Sequence, residues 1–160
     1  MPIADLRVLS DLIEAWRETP ALLRAITELE RQLASCDEPF VGLPLEEGLV
    51  RGRLPPGIES AWVFVLRAKS RNPAHLHPNS TQYTAAIRGG GRGFFGEREV
   101  ALRSFDAADP AGTIQVIPPG MPHAFAPGSE DLVVVSFHTV APEDLVEIEL
   151  DSARTRTYLA

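Results

Sequence analysis

The sequence has little that would suit a disulfide-bonded, membrane-spanning or nucleic-acid-binding protein. Its 160 residues include one cysteine, Cys36, which excludes an intramolecular disulfide and a cysteine-rich zinc site. Basic residues number 15 against 22 acidic ones, and Lys69 is the only lysine, so the basic face of a nucleic-acid-binding protein is not expected. The longest apolar runs, such as residues 61–66, are far shorter than the roughly 20 residues that span a bilayer. We therefore expect a cytoplasmic protein with neither nucleic-acid nor membrane partners.

The beginning of the chain has the periodicity of helices. Apolar residues recur at helical spacing over two stretches between residues 4 and 35, and Thr19-Pro20 between them is typical of a helix start. The length fits one structural domain. We expect residues 1–38 to form an N-terminal helical segment that packs on the remainder of the domain, residues 39–160. Exposed apolar helix faces or sheet edges would favour a homodimer.

From about residue 40 the helical period is lost, and short β-rich runs alternate with Gly/Pro turns. Many short strands with regular turns indicate a sandwich or barrel. The predicted strands are residues 49–54, 62–68, 74–77, 82–87, 92–95, 100–105, 113–117 and 132–140. In the tail, residues 146–150 alternate like a further strand.

All four histidines lie in the β-rich part of the chain. His75 and His77 are two positions apart, so on a strand both rings point to one face and can bind one metal ion. Gln82 follows after a turn and offers an amide oxygen as a possible fourth ligand. His123 comes just after a Pro-Pro-Gly corner, which can orient it rigidly as the third imidazole.

These residues resemble the two sequence motifs of the cupins. His75-x-His77-x4-Gln82-x6-Gly89 is similar to the first motif, with Gln where Glu is usual, and Gly112-x5-Pro118-x-Gly120-x2-His123 is similar to the second. The resemblance implies a mainly β fold: a double-stranded β-helix, or jelly-roll, barrel with one metal ion in its mouth. It implies His75, His77, His123 and Gln82 as the metal ligands.

The glutamine has a chemical consequence. Three neutral imidazoles and an amide leave the charge of a divalent ion uncompensated, so we expect a small anionic substrate to bind at the metal. Open coordination positions are typical of catalytic sites. Iron is the metal we favour, although nickel, zinc and manganese also accept imidazole ligands. Amide oxygen is a weaker donor than carboxylate, so Gln82 could instead support the ligands from behind them.

A second resemblance is to the thiol dioxygenases of the cysteine dioxygenase kind. That family holds ferrous iron with three histidines, and the spacing from His123 to Ser136-x-His138 is similar. The resemblance implies that His138 tunes the bound substrate, with Ser136 hydrogen-bonded to it, and that Arg53 or Arg51 holds a substrate carboxylate. It implies an Fe(II)-dependent dioxygenase. The chain departs from that family at the relay tyrosine, because Val140 stands there and cannot transfer a proton.

Two alternative functions are compatible with the same metal ligands. Cupins with three His and one Gln include enzymes that isomerise or open sugar acids without redox chemistry, and there His138 or Tyr83 could move a proton. Tyr83 is thus a further candidate for contact with substrate, although strand alternation would point it away from Gln82. The third alternative is a non-catalytic cupin that binds a small ligand.

Overall fold

Two helices begin the part of the chain that the computed structural model describes, which is residues 4–45, 49 and 53–158. Helix α1 (Leu6–Trp16) starts after Asp5, whose side chain accepts a hydrogen bond from the Arg7 backbone N–H. Helix α2 (Pro20–Ala34) starts after Thr19, as the Thr-Pro pair predicts, and the Thr19 hydroxyl accepts from a backbone N–H of the first turn. Each helix buries one apolar stripe.

Eleven strands and two short helical turns follow within the described residues. In chain order the strands are β1 (Phe40–Pro44), β2 (Ser60–Leu66), β3 (His75–Leu76), β4 (Gln82–Arg88), β5 (Gly91–Phe95), β6 (Arg98–Leu102), β7 (Ile114–Ile117), β8 (His123–Pro127), β9 (Leu132–His138), β10 (Val146–Glu149) and β11 (Thr155–Thr157). A one-turn helix, α3 (Pro110–Thr113), precedes β7, and a 3-10 turn (Pro142–Asp144) precedes β10.

The strands form two sheets. Five strands pair in the order β1-β2-β9-β4-β7, and six pair in the order β11-β10-β3-β8-β5-β6. Every strand pair is antiparallel. The two sheets face each other and enclose an apolar interior, to which both contribute. This is the mainly β jelly-roll barrel that the sequence predicts.

The central strands β2 and β9 are buried over their whole length because both of their faces are covered. Alternate residues of β9, Val133, Val135 and Phe137, pack under the two helices, while Leu132 and Val134 face the barrel interior. By the same alternation Ser136 and His138 face the interior, as the strand parity predicts. The helices therefore cover the outer face of the five-stranded sheet, and the inner face is left for the site.

Some local expectations were wrong or lie outside the described residues. Strands β1, β8 and β11 were not predicted, and the Asp-Pro-Ala-Gly segment before β7 forms α3 rather than a simple turn. Of the strand expected over residues 49–54, residues 50–52 lie outside the described part, and Arg53 and Leu54 form a turn and a bend. Among the described residues, no helix is both long and apolar enough to cross a membrane.

Candidate metal centre

Three histidine rings meet inside the barrel. His75 on β3 lies directly opposite His123 on β8 in the antiparallel pairing of those strands, and their ring centroids are 4.3 Å apart. The His77 ring lies 5.3 Å from each of the other two. One ligand atom from each of the three side chains lies within 4.8 Å of the other two, and all three residues are buried. Three such imidazoles could hold one metal ion.

The backbone determines which ring nitrogen of each histidine carries the proton. Nδ1 of His75 lies 2.9 Å from the carbonyl oxygen of Pro73, Nδ1 of His77 lies 2.7 Å from that of Val146, and Nδ1 of His123 lies 3.0 Å from that of Met121. A carbonyl oxygen only accepts, so each Nδ1 must be the donor. The Nε2 lone pairs are thereby left free to bind a metal.

The corner before β8 contributes to this arrangement. Gly120 has a φ of 77°, in the left-handed region that glycine adopts without strain, and its N–H donates to the carbonyl oxygen of His77 at 2.9 Å. The corner is thus hydrogen-bonded to the backbone of one proposed ligand, His77, and it sets the orientation of another, His123. The buried Nε2 atom of His123 has no hydrogen-bond partner within the described structure. A buried nitrogen left without a partner is the atom that a metal ion would satisfy.

Burial keeps the imidazoles of His77 and His123 neutral. Desolvation lowers the pKa of His77 to about 4, with a smaller contribution from the neighbouring His75 and an opposing one from the Val146 carbonyl. Desolvation likewise lowers the pKa of His123 well below its usual range, and repulsion from His75 acts in the same direction. Neutral imidazoles have the free lone pair that a metal requires.

Gln82 presents its amide oxygen to the same cavity. Its Nε2 donates to Ser136 Oγ at 3.4 Å, and its buried Oε1 has no hydrogen-bond partner. Ser136 Oγ is also hydrogen-bonded to the Thr84 hydroxyl, which itself reaches the Val135 carbonyl at 3.5 Å. When Thr84 donates to that carbonyl, Ser136 donates to Thr84 and accepts from Gln82. The amide nitrogen is therefore held at Ser136, and the unpaired oxygen suits a cation.

His138 lies beside the three histidines, but its hydrogen-bond partner is not the expected one. Its ring centroid is 5.1 Å from that of His77, and its Nδ1 is 2.8 Å from Ser80 Oγ, whereas Ser136 bonds Thr84 and Gln82. The Ser80 hydroxyl oxygen also accepts from the Thr139 N–H at 3.2 Å. Desolvation, followed by repulsion from His77, lowers the pKa of His138 well below its usual range. His138 is thus a neutral, buried base at the site, and its Nδ1 atom is bonded to a side chain and not to a backbone carbonyl.

The empty space around these groups is about 360 Å³ when the open solvent at its mouth is counted with it. Six of its lining residues are apolar or aromatic and six are polar: Phe40, Phe64, Leu66, Phe125, Val134 and Tyr158, and Asn72, His75, His77, Gln82, Ser136 and His138. None of these described lining residues is an arginine, lysine, aspartate or glutamate. The cavity is therefore a small chamber lined in equal parts by apolar or aromatic and by polar side chains, and three of the polar ones are histidines.

The structure does not bring two of the expected substrate contacts, Arg53 and Tyr83, to this cavity. Arg53 is exposed in a turn and does not line it, and Arg51 lies outside the described residues. Tyr83 points to the opposite face of the sheet, where its ring packs under the helices and its hydroxyl accepts from the Ala4 N–H at 3.0 Å. The reason is strand alternation, since Gln82 and Tyr83 are neighbours on β4. This corrects the expected place of Tyr83.

Three side chains at or beside the site were missed by sequence reasoning. Ser80 lies inside the first motif, between His77 and Gln82, so its position could have drawn attention to it. Tyr158 lines the cavity and Glu147 is buried behind it, but both come from the tail, where the sequence has no motif. Their roles depend on a strand pairing that the sequence does not disclose.

Several solved structures share this architecture at low sequence identity. A recombinant oxalate oxidase in complex with glycolate is 19% identical, with a TM-score of 0.50 over 66% of this chain and 53% of that one. A salicylate 1,2-dioxygenase from Pseudaminobacter salicylatoxidans is 14% identical, with a TM-score of 0.55 over 72% of this chain and 32% of that one. The chain thus spans about half of the oxidase and about a third of the dioxygenase, and the likeness shows the fold alone.

A structure closer in size is an uncharacterized double-stranded β-helix protein from Klebsiella pneumoniae. It is 18% identical, with a TM-score of 0.51 over 70% of this chain and 84% of that one. Among curated proteins none matches the sequence. The family model described as cupin matches residues 57–153, which is more than half of the chain and includes all four histidines. The chain therefore belongs to the cupin family.

Proposed function

We propose that this cupin is a metal-dependent oxygenase that acts on a small anionic substrate. The metal, for which iron is the favoured identity, is held by Nε2 of His75, His77 and His123 and by the amide oxygen of Gln82. The observation that carries the proposal is the tethering of all three Nδ1 atoms to backbone carbonyls, which leaves the three Nε2 atoms free on rings that lie close together. A divalent iron bound there would supply a Lewis acid with open coordination positions and redox chemistry with O2.

The charge of the site supports an anionic substrate. All four proposed ligands are neutral, and none of the described residues lining the cavity carries a formal charge. A bound cation would therefore be the main charge in the chamber, and an anion would gain most by binding directly beside it. No arginine is needed to hold the substrate carboxylate in this arrangement, in contrast to the expected use of Arg53 or Arg51.

The walls support an oxygenase over a sugar-acid isomerase. Phe40, Phe64, Phe125 and Val134 surround the space beside the histidines. The hydroxyls of a sugar acid would lose their hydrogen bonds to water against such walls, which is costly. A compact acid or thiol with an apolar body fits better, and apolar walls exclude water from the reacting groups. The oxalate oxidase and the salicylate dioxygenase that share the fold also carry the names of small acids.

His138 is the residue we assign to proton transfer. It is fully buried, and the pKa shift keeps it neutral, so one ring nitrogen can accept a proton. When Ser80 donates to the Thr81 carbonyl, 3.1 Å away, Nδ1–H of His138 donates to Ser80 and Nε2 is the accepting atom. His138 would thus be placed to accept the proton of a thiol or hydroxyl group carried by the anionic substrate.

The test joins metal content to oxygen uptake. We expect the purified protein to bind about one iron per chain, the iron-loaded protein to consume O2 with one or more small carboxylates or thiols, and the His75→Ala variant to lose both. Arg98→Ala, on the exposed surface of β6, is the control and should retain both. Equal metal content in His75→Ala and the unchanged protein would contradict the metal site. Turnover without O2 would favour an isomerase, and bound metal with ligand binding but no turnover would favour a binding protein.

A further inference from the structure

The last two strands form one wall of the cavity. Strands β10 and β11 pair with Glu147 directly opposite Arg156, and we refer to residues 146–158 as the C-terminal hairpin. Tyr158 is two positions beyond Arg156, so alternation places it on the same face. That face is turned inward, because the Glu147 side chain is only 2% exposed and Tyr158 lines the cavity. The hairpin therefore brings an ion pair and a tyrosine to the edge of the site.

The aromatic ring of Tyr158, and not its hydroxyl, forms the cavity wall. The ring centroid lies 6.5 Å from that of His77, 5.5 Å from that of Trp62 and 6.0 Å from that of Phe64. The phenol hydroxyl donates to the Glu147 carboxylate. Because the hydroxyl is hydrogen-bonded there, the ring is held as an apolar wall between the histidines and the hairpin.

Glu147 holds the Tyr158 ring at a fixed position. One of its carboxylate oxygens accepts from Tyr158, and the other lies 3.1 Å from Nη2 of Arg156. The Arg156 guanidinium lies 5.2 Å from the Tyr158 ring and 5.6 Å from the Phe40 ring, so it contacts two aromatic side chains of the cavity. The ion pair is weak evidence for stability, since the Arg156 side chain is 32% exposed and burial of the Glu147 charge is costly. Its directional bonds do, however, favour one orientation of the tyrosine.

We propose that Tyr158 is the specificity-determining residue of the cavity and that Glu147 is its positioning residue. The ring limits the chamber to compact ligands, and the carboxylate keeps the ring in place at the end of a short edge strand. The inference rests on the proposed function in one respect, because the ligand screened by Tyr158 is then the small acid or thiol that reaches the metal.

The first test uses metal-free protein and a neutral probe, so that it does not depend on the proposed function. N-phenyl-1-naphthylamine fluoresces in apolar sites, and we expect Tyr158→Ala to bind it about tenfold more tightly than the unchanged protein, as expected for loss of a pocket wall. Glu147→Gln should change the affinity in the same direction but less. Arg154→Ala removes an exposed ion pair with Glu149 on the same hairpin and should leave the affinity unchanged.

Near-UV circular dichroism shows whether each variant is folded, and Tyr158→Leu replaces Tyr158→Ala if the smaller side chain prevents folding. Unchanged probe affinity in a folded Tyr158 variant would overturn the assignment of Tyr158. Tighter probe binding by Tyr158→Ala together with unchanged probe affinity in Glu147→Gln would overturn the positioning role of Glu147.

The second test uses protein loaded with Co²⁺ and follows its visible absorption while formate or 2-naphthoate is added. We expect the ratio of the two dissociation constants to move about tenfold in favour of 2-naphthoate in Tyr158→Ala, with no change in Arg154→Ala. An unchanged ratio would contradict the specificity role. Failure of the unchanged protein to bind Co²⁺ would contradict the proposed function instead, and the probe experiment would still decide the role of Tyr158.

Discussion

The Nδ1 atom of His77 lies 2.7 Å from the carbonyl oxygen of Val146, a residue 69 positions later in the chain. This contact joins the first motif to the C-terminal hairpin. The residue after Val146 is Glu147, whose carboxylate accepts the hydrogen bond from the Tyr158 hydroxyl. The same strand therefore orients a proposed metal ligand and supports a wall of the cavity. Because the carbonyl can only accept, it also keeps the proton of neutral His77 on Nδ1 and the lone pair on Nε2.

The metal-free protein should lose stability in mild acid because the imidazoles of His77, His123 and His138 are buried and neutral. The pKa of His77 is lowered from 6.5 to about 4 in the folded state, so the unfolded chain takes up a proton first. This contribution is fully present above pH 6.5 and is lost as the pH falls toward 4, by about 3 kcal/mol for His77 alone. His123 and His138, whose pKa values are lowered too, act in the same direction.

Guanidinium unfolding in the presence of a chelator, between pH 7.5 and pH 4, measures this effect. Carboxylates also titrate in that range, so the informative comparison is with His77→Gln, which should lose clearly less stability over the same interval. Parallel curves for the two proteins would show that His77 is not a buried neutral base.

Replacement of Gln82 by Glu should strengthen metal binding and weaken anion binding. The carboxylate adds a negative charge where the amide oxygen now has no partner, and ligand charge is a main determinant of affinity for divalent ions. We expect the dissociation constant for Mn²⁺ to fall about tenfold and that of the loaded protein for formate to rise by a similar factor. Calorimetric titration measures both.

The matched control for this change is Gln82→Met, which has a similar length and no oxygen. It should bind metal more weakly than the unchanged protein and should still bind formate at the metal. If Gln82→Met and the unchanged protein bound Mn²⁺ equally well, Gln82 would not be a metal ligand.

Two serines near His138 should have separate effects. Ser80→Ala removes the hydrogen-bond partner of His138 Nδ1, so the imidazole ¹⁵N chemical shifts of His138 should change. Ser136→Ala removes the partner of Gln82 and Thr84, so it should leave those shifts in place and lower the free energy of unfolding by about 1–3 kcal/mol. Long-range ¹H–¹⁵N spectra and denaturant unfolding give the two readouts. Shifts of His138 that respond to Ser136→Ala and not to Ser80→Ala would reverse this pairing.

Much of the candidate site could be predicted because it depends on local spacing. His75 and His77 are two residues apart on one strand, so their shared face follows from strand geometry, and the Pro-Pro-Gly corner before His123 is a local turn. The parity of Ser136 and His138 on β9 follows from the same alternation. Tyr83 shows the limit of this reasoning, because its alternation away from Gln82 was recognised and the residue was still kept as a candidate substrate contact.

What the sequence by itself determined was the helical segment and the β-rich remainder, since hydrophobic periodicity and turn residues are local. The resemblance of its two motifs to the cupins added the barrel and the residues that converge in its interior. Only the tertiary structure decided the hydrogen-bond partners: Ser80 and not Ser136 for His138, Val146 for His77, and Glu147 with Arg156 for Tyr158. Hydrogen bonds act over about 3 Å between residues that can be dozens of positions apart. Their choice therefore depends on which strands pair and in which register, and that is a property of the folded barrel as a whole.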